Sequence, residues 1–569
     1  MNTQPDFKKN ILTVTKAAFG CFQLMFICLF LLFLSLETET YDRHPSILFR
    51  ISGAVADASL FTLPFIYLRG NWRYAAGAAP LAVALMILVN SLYFRNFHDL
   101  IPPSLYLNNQ AGNPIVLQSA VYSLKLKDFI IAALGIIPPI RMICAGKRFT
   151  SSPPPVLFRK IIWTSTILAW CITVAGALRR APGNSGLKEK LFPATSTNLI
   201  SYYNSLNFTG YIAKTICSGA GRRITLSDTD LQKIRAHITA TETTGYIERH
   251  DSLRPKNLIL IVVESLPSVV LQRKDIHVVA PVIKALATDS ASVYADRCKV
   301  LAGDGRSSDA QFMYNTGLLP LQNEILAAAY PDNNYPSVAK AFRQESAEII
   351  GEDRSLWSHS LTTLSYGFGR LIDNAGSPHD GIPFAQDSLI LEAAYRETHT
   401  FHSNFYLFVT TMSMHDPYKR PAVNHTLNHN EIDCSDPRDT EYLERLHHFD
   451  TALGRFISRL KKDGLYQQTA IAIVGDHEIR RGTVSSSLDD DNVPLIILNS
   501  GISGTYRKKC TQADLFPTLL DVMGLRYTFL GVNYRGLGHS IFIPGNAGKP
   551  YLPDNLDYKI SEMIIRSIR

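Results

Sequence analysis

The sequence lacks the patterns that most quickly assign a protein to a class. It contains no internal repeat and no long low-complexity tract, which excludes repeat architectures and a mainly disordered chain. It has no P-loop or Rossmann glycine pattern, so neither of those nucleotide-binding sites is expected. The formal net charge of +8 over 569 residues is modest. The basic residues cluster beside apolar runs, which favours a membrane protein over a nucleic-acid binder.

Long apolar runs are absent after residue 180, whereas the chain before that point is rich in them. A chain of 569 residues is too long for one compact core, so two or more domains are expected. A bilayer core of about 30 Å requires roughly 20 apolar helical residues. The sequence therefore predicts a membrane domain of five helices over residues 1–180, with spans near Ile11–Leu36, Ile47–Tyr67, Tyr74–Tyr93, Phe129–Ala145 and Ile161–Leu178.

A cleaved signal peptide is the alternative for the first apolar run, but that run is too long and lacks a small-residue cleavage site.

The basic residues also predict how these helices are oriented. Five spans from a cytoplasmic N-terminus place everything after residue 180 outside the cytoplasm, in the periplasm or extracellular space. The protein would then be a multi-pass protein of the cell (inner) membrane. The residues that mark the cytoplasmic side are Lys8, Lys9, Arg69, Arg73, Arg141, Lys147, Arg148, Arg159 and Lys160.

Residues 181–250 are mixed and polar and are interpreted as a linker. An apolar patch within them is typical of a juxtamembrane amphipathic helix on the membrane surface. A linker helix packed on the following domain is the alternative. The patch consists of Leu199, Ile200, Tyr202, Tyr203, Leu206 and Phe208.

Four cysteines follow the membrane domain, at Cys217, Cys298, Cys434 and Cys510. Outside the cytoplasm they would lie in an oxidising compartment, so at least one pair is expected to form a disulfide. The sequence does not choose the pair.

Residues 251–569 alternate short apolar strands with amphipathic helices. Such alternation predicts an α/β domain around a largely parallel sheet. One helix is indicated by apolar residues at helical spacing from Leu446 to Leu460. The predicted strands are Asn257–Val263, Ala347–Ile350, Phe405–Thr410, Thr469–Val474 and Pro494–Leu498.

Polar residues follow two of these strands directly. Glu264 directly follows the first predicted strand, Asn257–Val263. Asp476 and His477 follow the strand Thr469–Val474 after one glycine. Because ligands bind at the carboxyl ends of parallel strands, these side chains could form a metal site. Taken singly, each is more often a helix cap or a turn residue. Their combination favours the metal site.

Five segments, taken in order, resemble the extracytoplasmic domain of lipoteichoic acid synthase and related phosphoglycerol transferases. This family belongs to the sulfatase and alkaline phosphatase superfamily, and its members also carry five membrane spans before a sulfatase-like domain. The Cys/Ser-x-Pro-x-Arg segment of true sulfatases is absent, so sulfate-ester hydrolysis is not expected. The segments are Asn257–Ser265 (NLILIVVES), Gly303–Phe312 (GDGRSSDAQF), His415–Tyr418 (HDPY), Ile473–His477 (IVGDH) and Ala513–Gly524 (ADLFPTLLDVMG).

The resemblance implies a metal site and a nucleophile. Glu264, Asp476 and His477 would hold one divalent ion, manganese rather than zinc, with the nucleophile as the fourth ligand. The family nucleophile is a threonine followed by Ser-Asp, and this position is Ser307 here, with Ser308 and Asp309 after it. Serine is a departure from the family, although alkaline phosphatases use serine for the same attack. The adjacent Ser308 is the alternative nucleophile.

The resemblance also implies residues that contact the substrate. His415 matches a substrate-side histidine that would transfer protons, and Trp357 matches an aromatic residue of a head-group pocket. His359 stands where the family usually has arginine, so phosphate contact could come from Arg354 or Arg306 instead. Without the metal site, His415 would be interpreted as an ordinary loop histidine. The alternative for Trp357 is a place in the hydrophobic core, where a lone tryptophan is usually found.

These residues predict a metal-dependent phosphotransferase. It would move a phosphoglycerol-type head group from a phospholipid donor, through a covalent seryl intermediate, to a glycan, glycolipid or polymer acceptor. One alternative is a phosphoethanolamine transferase of the same superfamily, whose usual Gly-Glu-Thr/Ser-x-Arg stretch is replaced here by Val-Glu-Ser-Leu-Pro. The other is a catalytically inactive membrane protein with a binding or regulatory role. No nucleic-acid partner is expected.

Overall fold

The computed structural model describes most of the chain, and it divides into two units. One unit is built from residues 1–107 and 116–220, and the other from residues 108–115 and 221–569. The residues described are 4–40, 47–68, 70–97, 100–101, 124–146, 156–180, 203, 206–213, 223–242, 254–303, 305–322, 324–354, 356–373, 375, 386–416, 418, 427–480, 482–502, 504–506, 510–542 and 552–568.

Helices occupy all five predicted apolar stretches of the first unit. They are α1 (Gln4–Thr40), α2 (Ile47–Thr62), α3 (Ala75–Phe97), α4 (Leu126–Ala145) and α5 (Val156–Arg180).

Four helices of the described residues, rather than five, are long and apolar enough to cross a membrane: Phe19–Glu39, Gly70–Arg95, Leu126–Ala145 and Val156–Gly176. Helix α2 has 16 residues and ends just before Pro64, which lacks the N–H that would continue it. A short 3-10 turn, Phe65–Tyr67, follows.

The helical segment 206–213 packs within this first unit. The Phe208 ring lies 5.3 Å from that of Phe33 and 6.2 Å from that of Phe61, measured between centroids. The carboxylate of Asp57 on α2 accepts the backbone N–H groups of Phe208 and Thr209 at 3.0 and 3.2 Å. This part of the apolar patch is therefore buried within the first unit. Leu199, Ile200 and Tyr202 lie outside the described residues.

The second unit alternates strands and helices along the chain. Its strands are β1 (Asn257–Val263), β2 (Val293–Lys299), β3 (Glu345–Ile349), β4 (Arg370–Ile372), β5 (Phe405–Thr410), β6 (Thr469–Gly475), β7 (Asn492–Leu498), β8 (Gly504–Tyr506), β9 (Cys510–Thr511), β10 (Thr528–Phe529) and β11 (Val532–Asn533).

The helices of this unit range from single turns to 26 residues. They are α6 (Asp228–Glu242), α7 (Ser268–Leu271), α8 (Ile276–Val279), α9 (Pro281–Thr288), α10 (Ser307–Thr316), α11 (Leu326–Ala329), α12 (Val338–Phe342), α13 (His359–Tyr366), α14 (Asp387–Thr398), α15 (Pro437–Lys462), α16 (Leu515–Met523) and α17 (Asn555–Ser567).

The main sheet has the strand order β4-β3-β5-β1-β6-β7-β2-β8, and β9 also pairs with β2. The five strands β4, β3, β5, β1 and β6 are parallel to one another. β7 runs antiparallel to both β6 and β2. The predicted largely parallel α/β domain is confirmed, and every predicted strand is present.

Both faces of this sheet are covered by a hydrophobic core. Successive side chains of a strand point to opposite faces and so enter different cores. In β1, Leu258, Leu260 and Val262 belong to one core, and Ile259, Ile261 and Val263 to the other. A strand buried on both faces reads as a continuous apolar run, which is why its sequence is recognisable.

A disulfide joins β2 to β9, between Cys298 and Cys510. Cys434 is a free thiol, and Cys217 lies outside the described residues. The expected disulfide in this domain is therefore present.

Candidate active site

The register of two adjacent parallel strands brings two carboxylates together. β1 and β6 pair so that Val263 lies opposite Gly475, and each strand continues directly into an acidic residue, Glu264 or Asp476. In open α/β folds, ligands bind at this carboxyl edge of the sheet. Gly475 permits the close packing, because a Cβ atom there would lie 2.4 Å from the carbonyl oxygen of Leu266.

Glu264, Asp476 and His477 form a compact buried group that could hold a metal ion. One possible ligand atom from each residue lies within 4.8 Å of the other two. His477 Nε2 is 3.6 Å from Glu264 Oε1 and 3.4 Å from Asp476 Oδ2. Two carboxylates and an imidazole suit zinc and manganese alike.

The surroundings of Asp476 fit a bound cation. Its Oδ1 accepts the backbone N–H groups of Ser265 and His477, both at 2.7 Å. Its Oδ2 is buried and has no hydrogen-bond partner among the residues the structure describes. Burying a carboxylate oxygen without a partner costs free energy of folding. Burial, and then the charge of Glu264, raise the pKa of Asp476 well above its ordinary value. A divalent ion would relieve both effects.

His477 is held in the form that a metal ligand requires. Its Nδ1 lies 2.8 Å from the carbonyl oxygen of Glu478, to which it can donate, so Nε2 keeps its lone pair. Burial, and then the positive charge of Arg306, lower the pKa of His477 to about 4. The ring is therefore neutral at pH 7, as metal binding demands.

Ser307 is the first residue of α10, and its hydroxyl faces this group. Oγ lies 3.1 Å from Glu264 Oε2 and 3.0 Å from His477 Nε2. Ser265 and Arg306 have φ angles of 48° and 43°. For residues other than glycine, this left-handed conformation costs roughly 1–3 kcal/mol per residue. Strained backbone beside a hydroxyl at a helix N-terminus, where N–H groups favour an anion, is typical of an active site.

Arg306 fixes a positive charge at the start of α10. Its Nη2 lies 3.1 Å from His477 Nδ1 and donates to the carbonyl oxygen of Glu478 at 2.8 Å. Its Nη1 donates to Glu478 Oε1 at 3.1 Å. Of the two arginines suggested for phosphate contact, this one lies at the metal-ligand group.

His415 follows β5, the neighbour of β1 on the side opposite β6. Its Nδ1 lies 2.6 Å from the carbonyl oxygen of Asp416, to which it can donate. Burial acts to raise the pKa of Glu264, but the imidazoles of His477 and His415 outweigh burial and hold that pKa below its ordinary value. His415 is therefore close enough to influence the ligand group electrostatically.

Trp357 and His359 follow β3 at the same edge of the sheet. Trp357 is half-buried against the core, and it and Ser358 have left-handed φ angles of 49° and 56°. His359 is 2% exposed, with Nδ1 3.3 Å from Glu348 Oε1 and Nε2 3.2 Å from Glu352 Oε1. Both ring nitrogens face glutamates, so the position of His359 suits support of this turn better than contact with a substrate.

Arg354 pairs with Asp373 at the surface. Its Nε and Nη2 donate to the two carboxylate oxygens at 2.8 and 2.6 Å, and its side chain is 54% exposed. The structure thus brings Arg306 and His415 to the metal-ligand group but gives Arg354 and His359 other partners.

Thr411 and Arg480 support the site and were not identified from the sequence. Thr411 Oγ1 accepts the backbone N–H of Glu264 at 3.1 Å and so fixes the end of β1. Arg480 Nη1 donates to Asp416 Oδ2 at 2.7 Å, which links the loop after His477 to the loop that carries His415. Each lies shortly after a predicted strand that is followed by candidate site residues, and the sequence gives no other signal for either.

An α/β sheet with candidate metal ligands at its carboxyl edge and a hydroxyl at a helix N-terminus is the arrangement expected of a sulfatase or alkaline phosphatase type of domain. Residues 256–525 match the Sulfatase family, so this part of the chain is a sulfatase-like domain.

The chain is 25% identical over 527 residues to lipoteichoic acid synthase 2 of Bacillus subtilis, with 86% of this chain and 79% of the relative covered. It is 22% identical over 518 residues to lipoteichoic acid synthase of Staphylococcus aureus strain USA300, with 85% and 78% covered. Among solved structures, the integral membrane lipooligosaccharide phosphoethanolamine transferase A of Neisseria meningitidis aligns over 90% of this chain and 95% of that one, at 13% identity and a TM-score of 0.49.

The predicted resemblance is confirmed, and with it the prediction of an enzyme of the phosphotransferase type. The four apolar helices and the relatives also support a membrane protein.

Proposed function

We propose that this chain transfers a phosphoglycerol-type head group from a membrane phospholipid to an acceptor of the cell envelope. The observation that carries the proposal is the convergence of the Ser307 hydroxyl with Glu264, Asp476 and His477 at one edge of the sheet. The relatives named lipoteichoic acid synthases support a glycolipid or growing polymer as acceptor.

The residues of the site divide the chemistry between them. Glu264, Asp476, His477 and Ser307 would hold a divalent ion, for which we propose manganese rather than zinc. When bound, the ion would lower the pKa of the serine hydroxyl and neutralise charge on the phosphate.

Ser307 Oγ, whose proton passes to solvent, attacks the phosphorus, and the bond to the lipid alcohol breaks, which leaves the head group as a phosphodiester on Ser307. His415 protonates the departing lipid oxygen and then accepts a proton from the entering acceptor hydroxyl. The acceptor oxygen attacks the phosphorus, the bond to Ser307 Oγ breaks, and Ser307 Oγ takes up a proton from solvent. Arg306 and the N–H groups at the start of α10 contact the non-bridging oxygens. Trp357 packs against the head group.

We place this domain outside the cytoplasm, with residues 1–180 as membrane domain, 181–250 as linker and 251–569 as catalytic domain. The distribution of basic residues supports this orientation. A disulfide between Cys298 and Cys510 is also expected in an oxidising compartment rather than in the cytosol.

The test uses the full chain in vesicles that contain phosphatidylglycerol labelled in its head group. With a divalent ion we expect diacylglycerol to form and the label to leave the lipid, and Ser307→Ala should prevent both. Vesicles with head-group-labelled phosphatidylethanolamine serve as the comparison. Turnover of that lipid alone would favour the phosphoethanolamine alternative, and turnover of neither would contradict the proposal.

A further inference from the structure

Gln512 uses every hydrogen-bonding position of its side-chain amide on segments that carry the site. Its Oε1 accepts the backbone N–H groups of Leu301 and Ala302 at 2.7 and 3.0 Å. Its Nε2 donates to the carbonyl oxygen of Asp476 at 2.5 Å and to the hydroxyl of Tyr314 at 2.8 Å. The side chain is 1% exposed, so water cannot replace these partners.

These partners lie on three separate parts of the active site. Leu301 and Ala302 belong to the loop that leads from β2 to Ser307, and Tyr314 lies on α10, the helix that Ser307 begins. Asp476 is a proposed metal ligand. One amide therefore connects the nucleophile's loop and helix to the end of the strand that supplies the metal ligands.

The polarity of these hydrogen bonds admits only an amide in one orientation. Backbone N–H groups can only donate, and the carbonyl of Asp476 can only accept. The Tyr314 hydroxyl donates its proton to the carbonyl oxygen of Gly475 at 2.6 Å, so towards Gln512 it can only accept. The side chain must present its oxygen to the loop and its nitrogen to the end of β6.

The backbone of Gln512 is itself anchored beside the nucleophile loop. It begins the 3-10 turn Gln512–Asp514, where the Asp514 carboxylate accepts the backbone N–H of Thr511 at 2.8 Å. Cys510, two residues earlier, is bonded to Cys298 on β2, the strand that enters the same loop. A fully paired, buried amide on such an anchor is a rigid spacer.

We propose that Gln512 is a positioning residue that fixes the Ser307 hydroxyl relative to Asp476 and its neighbouring metal ligands. The proposal rests on the proposed function of the site and assigns Gln512 no contact with the substrate. A displacement of the reacting atoms by about 1 Å can cost roughly 100-fold in rate, so a residue that sets this spacing affects turnover without touching the lipid.

Two substitutions separate the hydrogen bonds of Gln512 from its bulk. Gln512→Glu keeps the shape and the oxygen that accepts from Leu301 and Ala302, but it turns a second oxygen towards the Asp476 carbonyl, where a donor is required. Gln512→Ala removes all four bonds.

A matched control lies at the opposite end of β1. Asn257 is 7% exposed, and its amide accepts the N–H of Phe405 and donates to Thr469 Oγ1, both at 3.3 Å. It too bridges two neighbouring strands. Glu264 of the site lies seven residues further along the chain, about 23 Å away. Asn257→Asp therefore introduces a buried carboxylate, as Gln512→Glu does, but at a distance from the chemistry.

The experiment compares the full-length variants in detergent by two measurements. We expect Gln512→Glu and Gln512→Ala to lower kcat roughly 30- to 100-fold, with little change in KM. We also expect faster amide hydrogen exchange in peptides that cover residues 299–306. Asn257→Asp should lose stability but keep kcat within about threefold of wild type and leave exchange in that loop unchanged.

Unchanged exchange in the loop of Gln512→Glu, or an equal loss of kcat in Asn257→Asp, would overturn the proposal. If the wild-type chain turns over no lipid donor, the proposed function fails instead. The exchange comparison still decides whether Gln512 holds the nucleophile loop.

Discussion

The hydroxyl of Ser308 donates to the carbonyl oxygen of Gly305 at 2.8 Å. Ser308 is 7% exposed, so its hydroxyl belongs to the loop, whereas that of Ser307 faces Glu264 and His477. Of the two adjacent serines, one shapes the turn and the other is available for attack.

This difference predicts opposite effects of two alanine substitutions. Ser307→Ala should fold normally and lose about 10³-fold or more in transfer rate, because the attacking oxygen is removed. Ser308→Ala should lose at most about tenfold, since one neutral hydrogen bond is lost. Ser307→Thr should keep appreciable activity because it keeps the hydroxyl. Initial rates of head-group release measure all three, and a larger loss in Ser308→Ala than in Ser307→Ala would reverse the assignment.

The ligand group predicts loss of activity on chelation and recovery with a divalent transition ion. Glu264→Ala, Asp476→Ala and His477→Ala should each abolish turnover and lower the metal content of the purified full chain. Asp450→Ala is the matched control, because Asp450 is also a buried carboxylate and accepts two backbone N–H groups, at 3.0 and 2.7 Å, at the start of α9. It should keep its metal. A folded ligand variant that keeps both metal and most activity would remove that residue from the set.

His359 predicts a pH-dependent contribution to stability. Burial acts to lower its pKa, but hydrogen bonds and charge from Glu348 and Glu352 outweigh burial and raise it from 6.5 to about 10. The folded state therefore holds a proton that the unfolded state releases. This stabilisation is complete below pH 6.5 and is lost as the pH rises towards 10.

Replacing His359 by glutamine should accordingly destabilise the domain most at pH 6 and least near pH 10. Urea unfolding can be followed by Trp357 fluorescence after the other tryptophans, Trp72, Trp163 and Trp170, are changed to phenylalanine. His402→Gln, at an exposed position, should unfold like its parent at each pH. A constant difference between His359→Gln and its parent across this range would show that charge on the ring does not stabilise the fold.

The cysteines predict a labelling pattern in protein purified without reductant. Cys298 and Cys510 should resist alkylation because they are bonded to each other, while the partly exposed thiol of Cys434 should react. Peptide mass spectrometry before and after reduction measures this. Labelling of Cys298 and Cys510 in the unreduced protein would argue against an oxidising compartment for this domain.

The sequence was most informative where strands are buried on both faces. β1, β5 and β6 are continuous apolar runs with every residue buried, and their bounds were predicted to within one residue. β2 was not predicted, because its burial is mixed and it contains Asp296 and Arg297. The short edge strand β4 has three residues, too few for a periodic signal.

The residues of the site divide in the same way, into those with a local sequence signal and those without one. Glu264, Asp476 and His477 were found because each ends or follows an apolar strand, whereas Ser307 depended on a family resemblance. Arg480 pairs with Asp416 across 64 residues of sequence, and Gln512 reaches the carbonyl of Asp476 across 36. Such long-range hydrogen bonds are set by tertiary packing and leave no local pattern.

The most direct test of the central claim is mass spectrometry of Ser307 during turnover. The full chain is incubated with a divalent ion and phosphatidylglycerol vesicles, quenched in acid and digested. The account predicts a peptide that carries the mass of one glycerol phosphate on Ser307 and is absent from Ser307→Ala. Turnover of the lipid with no adduct on Ser307, or with the adduct on Ser308, would contradict it.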